Sequence, residues 1–171
     1  MYNYYCTPIA QCVLLTCYAK TMKIHFVCRG NVFRSVIAQA YLNSLKLNNV
    51  EASSSGVVAD AHRESNIELG YVQDTKDLLA RHGLADFTKA AAEQLTQQRI
   101  DAADLVIFVN QRAYDEATAI VTPPKTARIW AVDDIGEGSR IITTDTARND
   151  FDEEVFEEIK SEVDELVKQL D

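Results

Sequence analysis

The sequence contains no acidic residue before Glu51, no cysteine after Cys28 and no apolar run long enough to cross a membrane. The missing cysteines exclude a disulfide framework in the main part of the chain, so we expect a reducing, cytoplasmic setting. No linker rich in Gly, Pro or Ser divides the 171 residues, which predicts a single domain. The formal net charge of -9 argues against nucleic acid or an anionic membrane as a nonspecific partner, because both are bound through Lys and Arg.

Residues 1–21 differ in composition from the rest of the chain. They hold three of the four cysteines and four of the seven tyrosines. We expect this segment to be an N-terminal extension outside the fold, followed by one domain over residues 22–171. A signal peptide is the alternative, and it is disfavoured because no Lys or Arg precedes the short apolar run at 13–15. The three cysteines of the segment lack the spacing of metal ligands.

Charge is distributed unevenly along the chain. Residues 1–50 carry a formal charge of +5, which leaves -14 for the remainder. An anionic substrate would find its site in the basic part, although a chance fluctuation in a short window explains the asymmetry equally well.

Four apolar segments have the length and composition of buried strands, and stretches with helical periodicity separate them. The predicted strands are residues 23–28, 50–55, 104–110 and 127–132, and the predicted helices are residues 35–47, 71–82, 89–101 and 111–119. An apolar stripe from Phe151 to Leu170 predicts a last helix. This alternation predicts an α/β fold with a doubly wound, four-stranded parallel sheet flanked by helices, and it puts ligand sites at the carboxyl ends of the strands.

A Cys-x5-Arg motif, from Cys28 to Arg34, follows the first predicted strand. The spacing alone is weak evidence, since Arg stands at this distance from a given Cys by chance in about one case in twenty. Its context is stronger, because Gly30 and Asn31 suit a tight loop and Ser35 suits a helix cap. Backbone N–H groups and a guanidinium bind phosphate, while a helix N-terminus stabilises both the anion and a thiolate. The motif therefore predicts a phosphate loop after the first strand, with Cys28 as nucleophile and Arg34 as the anion-binding side chain.

Residues 25–40, which read HFVCRGNVFRSVIAQA, resemble the signature V-C-x-G-N-I-C-R-S-P-I-A-E-A of the low-molecular-weight protein tyrosine phosphatases. The resemblance covers residues 23–170, and within the signature the chain departs at Phe33, Val36 and Gln39. It implies hydrolysis of a phosphomonoester through a phosphocysteine on Cys28. It also implies a phosphotyrosine protein or small phosphomonoester as partner, and a substrate-binding loop made of Arg29, Gly30, Asn31, Val32, Phe33 and Ser35.

The family places its general acid, an Asp, in a W-x-[IV]-x-D-P-like element after the last strand. Residues 130–135 fit this element, with Asp134 at the acid position and Ile135 where Pro usually stands. An acid is needed because the leaving oxygen must be protonated and a water later activated. Without the proline the loop is less stiff, so Asp133 stays open as the alternative acid. Outside this context, such an Asp-Asp pair is typical of a solvated turn.

Two serines match supporting positions of the family. Ser35 matches the serine that hydrogen-bonds the thiolate, and Ser54 matches one that braces the loop Asn, although each also suits capping or turn chemistry. The family's histidine in the middle segment is replaced near Lys89. We expect no cofactor and no metal site, because neither metal-like nor triad-like spacing relates the three histidines, which are His25, His62 and His82.

The predicted cleft lacks the aromatic walls of phosphotyrosine-specific relatives, because no Phe, Tyr or Trp occurs at 42–70 or 131–150. Arg29 is expected at the mouth of the cleft, which suggests a weak preference for phosphotyrosine and a substrate with an additional anion. Val32, rather than Thr, is typical of tyrosine-type members and not of those that act on phosphoarginine. Phe33 replaces the second loop cysteine, so no disulfide within the loop can protect Cys28 from peroxide.

Two alternative functions fit parts of the pattern. The first is an eroded phosphatase that only binds phosphorylated ligands or regulates, and it is disfavoured because nucleophile, Arg and candidate acid all remain. The second is arsenate reduction. It is disfavoured because the related reductases relay electrons through further cysteines, and none follows Cys28.

Overall fold

The structure is a computed structural model, and it describes residues 20–134 and 145–170. Most of the predicted N-terminal extension and Ile135 therefore lie outside the described residues. Of that extension, Lys20 is described, and its ammonium forms an ion pair with Asp104. In the described part of the chain, no helix is both long and apolar enough to cross a membrane.

Strands and helices alternate along the described residues. The strands are β1 (Met22–Cys28), β2 (Val50–Gly56), β3 (Leu105–Phe108) and β4 (Arg128–Ile129). The α-helices are α1 (Arg34–Ser44), α2 (Arg63–Glu68), α3 (Tyr71–Arg81), α4 (Gln97–Asp101), α5 (Gln111–Ala117) and α6 (Asp145–Lys168), and a short 3-10 helix spans Ala85–Phe87.

The four strands form one parallel sheet in the order β2-β1-β3-β4. The predicted α/β fold is thereby confirmed. β1 pairs with β2 along its whole length, so that Cys28 stands beside Gly56 at the carboxyl edge of the sheet. β4 is shorter than predicted. Beyond it, the backbone N–H groups of Trp130 and Val132 donate to the carbonyls of Phe108, the last residue of β3, and of Val109, at 2.8 and 3.0 Å. The chain therefore still runs along the sheet after β4 ends.

Two helix predictions differ from the structure. The helix predicted at 89–101 is restricted to α4, because residues before it bond to neighbouring elements: Gln94 bridges to Gly56, and the backbone N–H of Glu93 donates to Asn31. Thr96 then starts α4 by accepting a hydrogen bond from the backbone N–H of Arg99. α2 has no buried residue and therefore no apolar stripe, which is why periodicity did not predict it.

Apolar residues cover both faces of the sheet. On one face, Ile24 and Phe26 of β1 pack with α1, α3 and α6, while Val27 belongs to a second cluster with α4 and α5. α6 contributes the predicted stripe, in which six side chains are at most 4% exposed: Phe151, Val155, Phe156, Ile159, Val163 and Leu166. Burial of each such side chain is worth roughly 1.5–3 kcal/mol, so the stripe holds α6 against the sheet.

Candidate active site

Cys28 is the last residue of β1, and α1 begins six residues later at Arg34. The intervening loop is held along one side by the chain that leaves β2. The backbone N–H groups of Val57 and Val58 donate to the carbonyls of Cys28 and Arg29 at 3.1 and 3.0 Å. These bonds extend the parallel pairing past the end of the sheet and fix the loop at its carboxyl edge.

Gly56 has a steric role in this arrangement. A Cβ on Gly56 would lie 2.6 Å from the backbone nitrogen of Asn31 and 2.8 Å from the carbonyl oxygen of Arg29. Atoms at those distances overlap, so the loop can approach β2 this closely only because residue 56 has no side chain.

Two groups bind the Cys28 sulfur, one in the loop and one in the first turn of α1. The backbone N–H of Asn31 donates to Sγ at 3.1 Å, and the Ser35 hydroxyl lies 3.0 Å from it. Asn31 reaches this position with a φ of 52°, in the left-handed region that Asn tolerates better than most residues. Ser35 was expected as a helix cap, but it lies inside α1 and the N-cap residue is Phe33. Its hydroxyl is therefore available to the sulfur.

The direction of the hydrogen bonds behind the loop follows from Lys89, which has only donors. Its ammonium donates to Asn31 Oδ1 at 2.9 Å, and the backbone N–H of Glu93 donates to the same oxygen at 2.8 Å. Asn31 Nδ2 must then be the donor to the hydroxyls of Ser35 and Ser54, both at 2.9 Å. Since Ser35 accepts that bond, its own hydrogen points to Cys28 Sγ, which stabilises a thiolate.

Lys89 and Ser54 are thus part of the support of the loop. The side chain of Lys89 is 11% exposed and also donates to the carbonyl oxygen of Ser54 at 2.8 Å. Burial lowers the pKa of Lys89, while the neighbouring Glu93 carboxylate opposes that shift. The Ser54 hydroxyl donates to Gln39 Oε1 at 2.7 Å. Gln39 stands where the family signature has Glu, so the side chain at this position still provides a hydrogen-bond acceptor.

Arg34 is buried, with 3% of the side chain exposed, and it joins the loop to the segment after β4. One terminal nitrogen donates to the Val132 carbonyl at 2.9 Å, and the other forms an ion pair with Asp134. Of the two candidate acids, Asp134 lines the cavity over the loop, whereas Asp133 is exposed. Asp134 is therefore the one of the two that shares the cavity with Cys28.

The cavity has a volume of about 320 Å³ and is open to solvent. Besides Arg34 and Asp134, its floor contains the predicted loop residues Cys28, Arg29, Gly30, Val32 and Phe33. Asn31 and Ser35 belong to the predicted substrate-binding set, but their side chains are buried behind the loop and bond to each other. The structure therefore brings the predicted residues together in two layers, one facing the cavity and one supporting it.

The walls of the cavity differ from the expectation in two respects. Tyr71, the first residue of α3, lines the cavity next to Leu69, so the expectation of a cleft without an aromatic wall is wrong. Tyr71 comes directly after the segment without aromatics. It lies far from the phosphate loop in the sequence, so its position in the cavity wall could not be predicted from spacing. Arg29 also lines the cavity, but its Nε donates to both carboxylate oxygens of Glu116 on α5, at 3.2 and 3.0 Å. It is therefore not a free cation for a second substrate anion.

The histidines occupy different environments. His25 is 2% exposed on β1, and its ring nitrogens lie 2.8 and 2.7 Å from the hydroxyls of Ser53 and Ser55. Burial, assisted by the nearby cations of Arg99 and Lys89, lowers the pKa of His25 to about 4, so the ring is neutral at physiological pH. His62, for which the sequence indicated no metal-like or triad-like spacing, lines the cavity.

Solved structures with this fold cover most of the chain. YfkJ from Bacillus subtilis matches with a TM-score of 0.65 and 20% identity over 90% of this chain and 96% of its own. A low molecular weight protein tyrosine phosphatase from Bacillus subtilis matches with a TM-score of 0.63 and 22% identity, over 87% and 97%. A thioredoxin-dependent arsenate reductase from Corynebacterium glutamicum matches with a TM-score of 0.60 and 23% identity, over 89% and 63%.

At these identities, the solved structures show that the fold is shared, and the family must be established by comparison of sequences. Comparison with curated protein sequences gave no match. The model of the low molecular weight phosphotyrosine protein phosphatase family, however, matches residues 23–171, which include every residue of the loop, its supporting layer and the candidate acids. The chain belongs to the low molecular weight phosphotyrosine protein phosphatase family.

Proposed function

We propose that the chain is a phosphomonoester hydrolase of the protein tyrosine phosphatase type, acting through a phosphocysteine on Cys28 with Asp134 as general acid. One observation carries the proposal. The sulfur of Cys28, bonded by the Asn31 N–H and the Ser35 hydroxyl, opens into the same cavity as the Arg34 guanidinium and the Asp134 carboxyl group. Nucleophile, anion-binding group and acid are thus within one site of suitable size for a small phosphate ester.

In the first step, the phosphate dianion of the ester binds to the backbone N–H groups of the loop and to Arg34. The Cys28 thiolate attacks phosphorus, an S–P bond forms, and the P–O bond to the leaving alcohol breaks. Asp134 donates its proton to the leaving oxygen, which departs as a neutral alcohol or phenol. Arg34 is ion-paired with the Asp134 carboxylate in the structure, so a bound phosphate that takes over this guanidinium frees the carboxylate to take up from water the proton that it then donates.

In the second step, the Asp134 carboxylate accepts a proton from a water molecule as that water attacks the phosphocysteine. The new P–O bond replaces the S–P bond, and inorganic phosphate and the Cys28 thiolate are the products. Ser35 serves in both steps, because its hydrogen bond to Sγ stabilises the thiolate as nucleophile and as leaving group.

The cavity walls support an aromatic ester as substrate. Phe33, Val58, Leu69 and Tyr71 give the cavity an apolar side against which a phenyl ring can pack. A phosphotyrosine protein or a small aryl phosphate is therefore the proposed partner. A reducing, cytoplasmic location is part of the same proposal, because the buried Cys28 thiol is free.

The test is hydrolysis of p-nitrophenyl phosphate by the wild type and by three variants. We expect Cys28→Ser to lower kcat by roughly 10⁴-fold or more, since it removes the nucleophile. Asp134→Asn should lower kcat by about 10²- to 10³-fold, with its largest effect on esters of poor leaving groups. Asp133→Asn is the matched control, and we expect little change because its side chain is exposed outside the cavity.

The outcomes separate the alternatives. A wild type that binds vanadate or phosphate without hydrolysing any ester would support the eroded binding module. A larger effect of Asp133→Asn than of Asp134→Asn would exchange the roles of the two acids. Arsenate reduction with thioredoxin would contradict the proposal, although the absence of any cysteine after Cys28 argues against such a relay.

A further inference from the structure

The cavity above Cys28 has a charged wall that the proposed reaction does not use. α3 contributes Asp74 and Thr75 to this wall, and α6 contributes Arg148 and Asp152. Two carboxylates and one guanidinium therefore face the space next to the phosphate loop.

Asp74 and Arg148 form an ion pair, while the Nε of Arg148 is buried without a hydrogen-bond partner among the described residues. A terminal nitrogen of Arg148 lies 3.0 Å from Asp74 Oδ2, and its guanidinium carbon lies 4.4 Å from the centroid of the Tyr71 ring. The hydroxyl of Thr75 donates to the Tyr71 carbonyl at 3.0 Å. This half of the wall is thus an internally bonded link between α3 and α6, with its charges balanced.

Asp152 is different. It is 5% exposed, and no hydrogen bond or ion pair among the described residues involves its carboxylate. Burial raises the pKa of Asp152, and the nearby Asp74 adds to that shift while Arg148 opposes it. A ligand that supplies a charged donor at this position therefore gains a charge-assisted hydrogen bond with a carboxylate that makes none within the described residues.

The opposite charge on the cavity floor is already committed. Arg29 is the residue that would select an additional anion on the substrate, and Glu116 binds it with both carboxylate oxygens. Within the described part of the cavity, the charge left without a partner is therefore the negative one on Asp152.

We propose that Asp152 is a specificity-determining residue that accepts a hydrogen bond from a positively charged group, such as an ammonium, on the alcohol portion of the phosphate ester. This inference rests on the proposed phosphatase function and specifies its substrate class. The cavity then has two poles, with the phosphate held at Arg34 and the cation at Asp152. Substrates that carry both charges fit this polarity, and substrates with a second anion do not.

The test uses three phenyl phosphates that differ only in the para substituent: 2-aminoethyl, ethyl and 2-carboxyethyl. For the wild type we expect kcat/KM to be about tenfold higher for the aminoethyl than for the ethyl ester, which corresponds to one charge-assisted hydrogen bond. The carboxyethyl ester should be the poorest substrate. Asp152→Asn should bring the ratio of aminoethyl to ethyl close to one, whereas Asp152→Glu should keep a preference for the amine.

Asp150→Asn is the charge-matched control. Asp150 lies two residues earlier on the same helix and is exposed outside the cavity, so its removal should leave the preference for the amine intact. An equal effect of Asp150→Asn and Asp152→Asn would mean that the general charge of α6, and not a contact with Asp152, sets the preference.

Failure of this inference differs from failure of the proposed function. A wild type that hydrolyses all three esters at the same kcat/KM overturns the role of Asp152 and leaves the phosphatase in place. If no ester is hydrolysed, calorimetric affinities of the three esters for Cys28→Ser still decide the inference. Equal affinities, or a preference for the carboxyethyl ester, would overturn it.

Discussion

The ammonium of Lys89 lies 2.9 Å from Asn31 Oδ1 and fixes the orientation of the side chain that bonds both Ser35 and Ser54. Lysine can only donate hydrogen bonds, so the direction of each bond in this chain is fixed. A histidine, which the family has near this position, could donate or accept depending on its tautomer. The positive charge also stands behind the loop that holds the Cys28 sulfur.

Lys89→Met should therefore weaken catalysis without removing any group that touches substrate. We expect kcat for p-nitrophenyl phosphate and the rate of Cys28 alkylation by iodoacetamide near neutral pH to fall, each by about tenfold, because the thiolate loses a cation and an oriented donor. Lys125→Met, at an exposed lysine, is the control. If alkylation of Lys89→Met keeps the wild-type rate while only stability drops, Lys89 is merely structural.

Gly56→Ala should damage the loop through sterics alone. The added Cβ would meet the backbone nitrogen of Asn31 at 2.6 Å, and neither strand nor loop can yield cheaply. We expect kcat/KM to fall by about 100-fold and the free energy of unfolding by roughly 1–3 kcal/mol. Gly83→Ala is the matched control: Gly83 has a φ of 71° and open space around it, so stability should drop by about 1 kcal/mol with unchanged kcat/KM. Equal activity of the two variants would refute the steric argument.

His25 should make the fold sensitive to mild acid. Its pKa is about 4 in the fold and 6.5 when unperturbed, so the unfolded chain binds a proton between these values while the folded chain does not. The stability from His25 is complete above pH 6.5 and is lost as the pH falls toward 4, with a total of about 3 kcal/mol. Urea unfolding across this range should show a shallower decline for His25→Gln than for the wild type or for His62→Gln. Parallel curves for all three proteins would contradict the assignment.

Peroxide should inactivate Cys28 without a protected intermediate. Phe33 stands where the family signature has a second cysteine, and Cys28 is the only cysteine among the described residues. We expect oxidation to proceed beyond the sulfenic acid, so that dithiothreitol restores only part of the activity after prolonged exposure. Phe33→Cys should increase the recoverable fraction, as measured by activity and by mass spectrometry of Cys28. Full recovery of the wild type would count against this prediction.

Periodicity and spacing predicted much of the fold. The apolar runs of β1 and α6 identify them because burial imposes a regular pattern on strands and helices. The boundaries of β4 and the extent of α4 did not follow from the sequence. Both depend on hydrogen bonds to distant segments, such as that from the Glu93 N–H to Asn31, and local propensity carries no information about them.

The candidate site shows the same division. Cys28, Arg34 and Asp134 were proposed from the motif and its resemblance, and the structure brings them into one cavity. Tyr71 and Asp152 were missed because they come from helices whose packing brings them to the cavity, and no spacing relates them to Cys28. Conversely, Arg29 was assigned a role that its pairing with Glu116 removes, since a partner 87 positions away cannot be read from local sequence.

One terminal nitrogen of Arg34 donates a hydrogen bond to the carbonyl of Val132, which lies two residues before Asp134. The other terminal nitrogen, which pairs with Asp134, is the one that a phosphate would bind. Binding of an anion to Arg34 is therefore thermodynamically linked to the position of the segment after β4. A change in that position alters the affinity for the anion, and a bound anion alters the position of the segment in return. An unreactive anion such as vanadate should accordingly perturb the fluorescence of Trp130, the single tryptophan, which lies at the start of that segment. The protein thus has an intrinsic spectroscopic reporter of ligand binding that needs neither turnover nor a label.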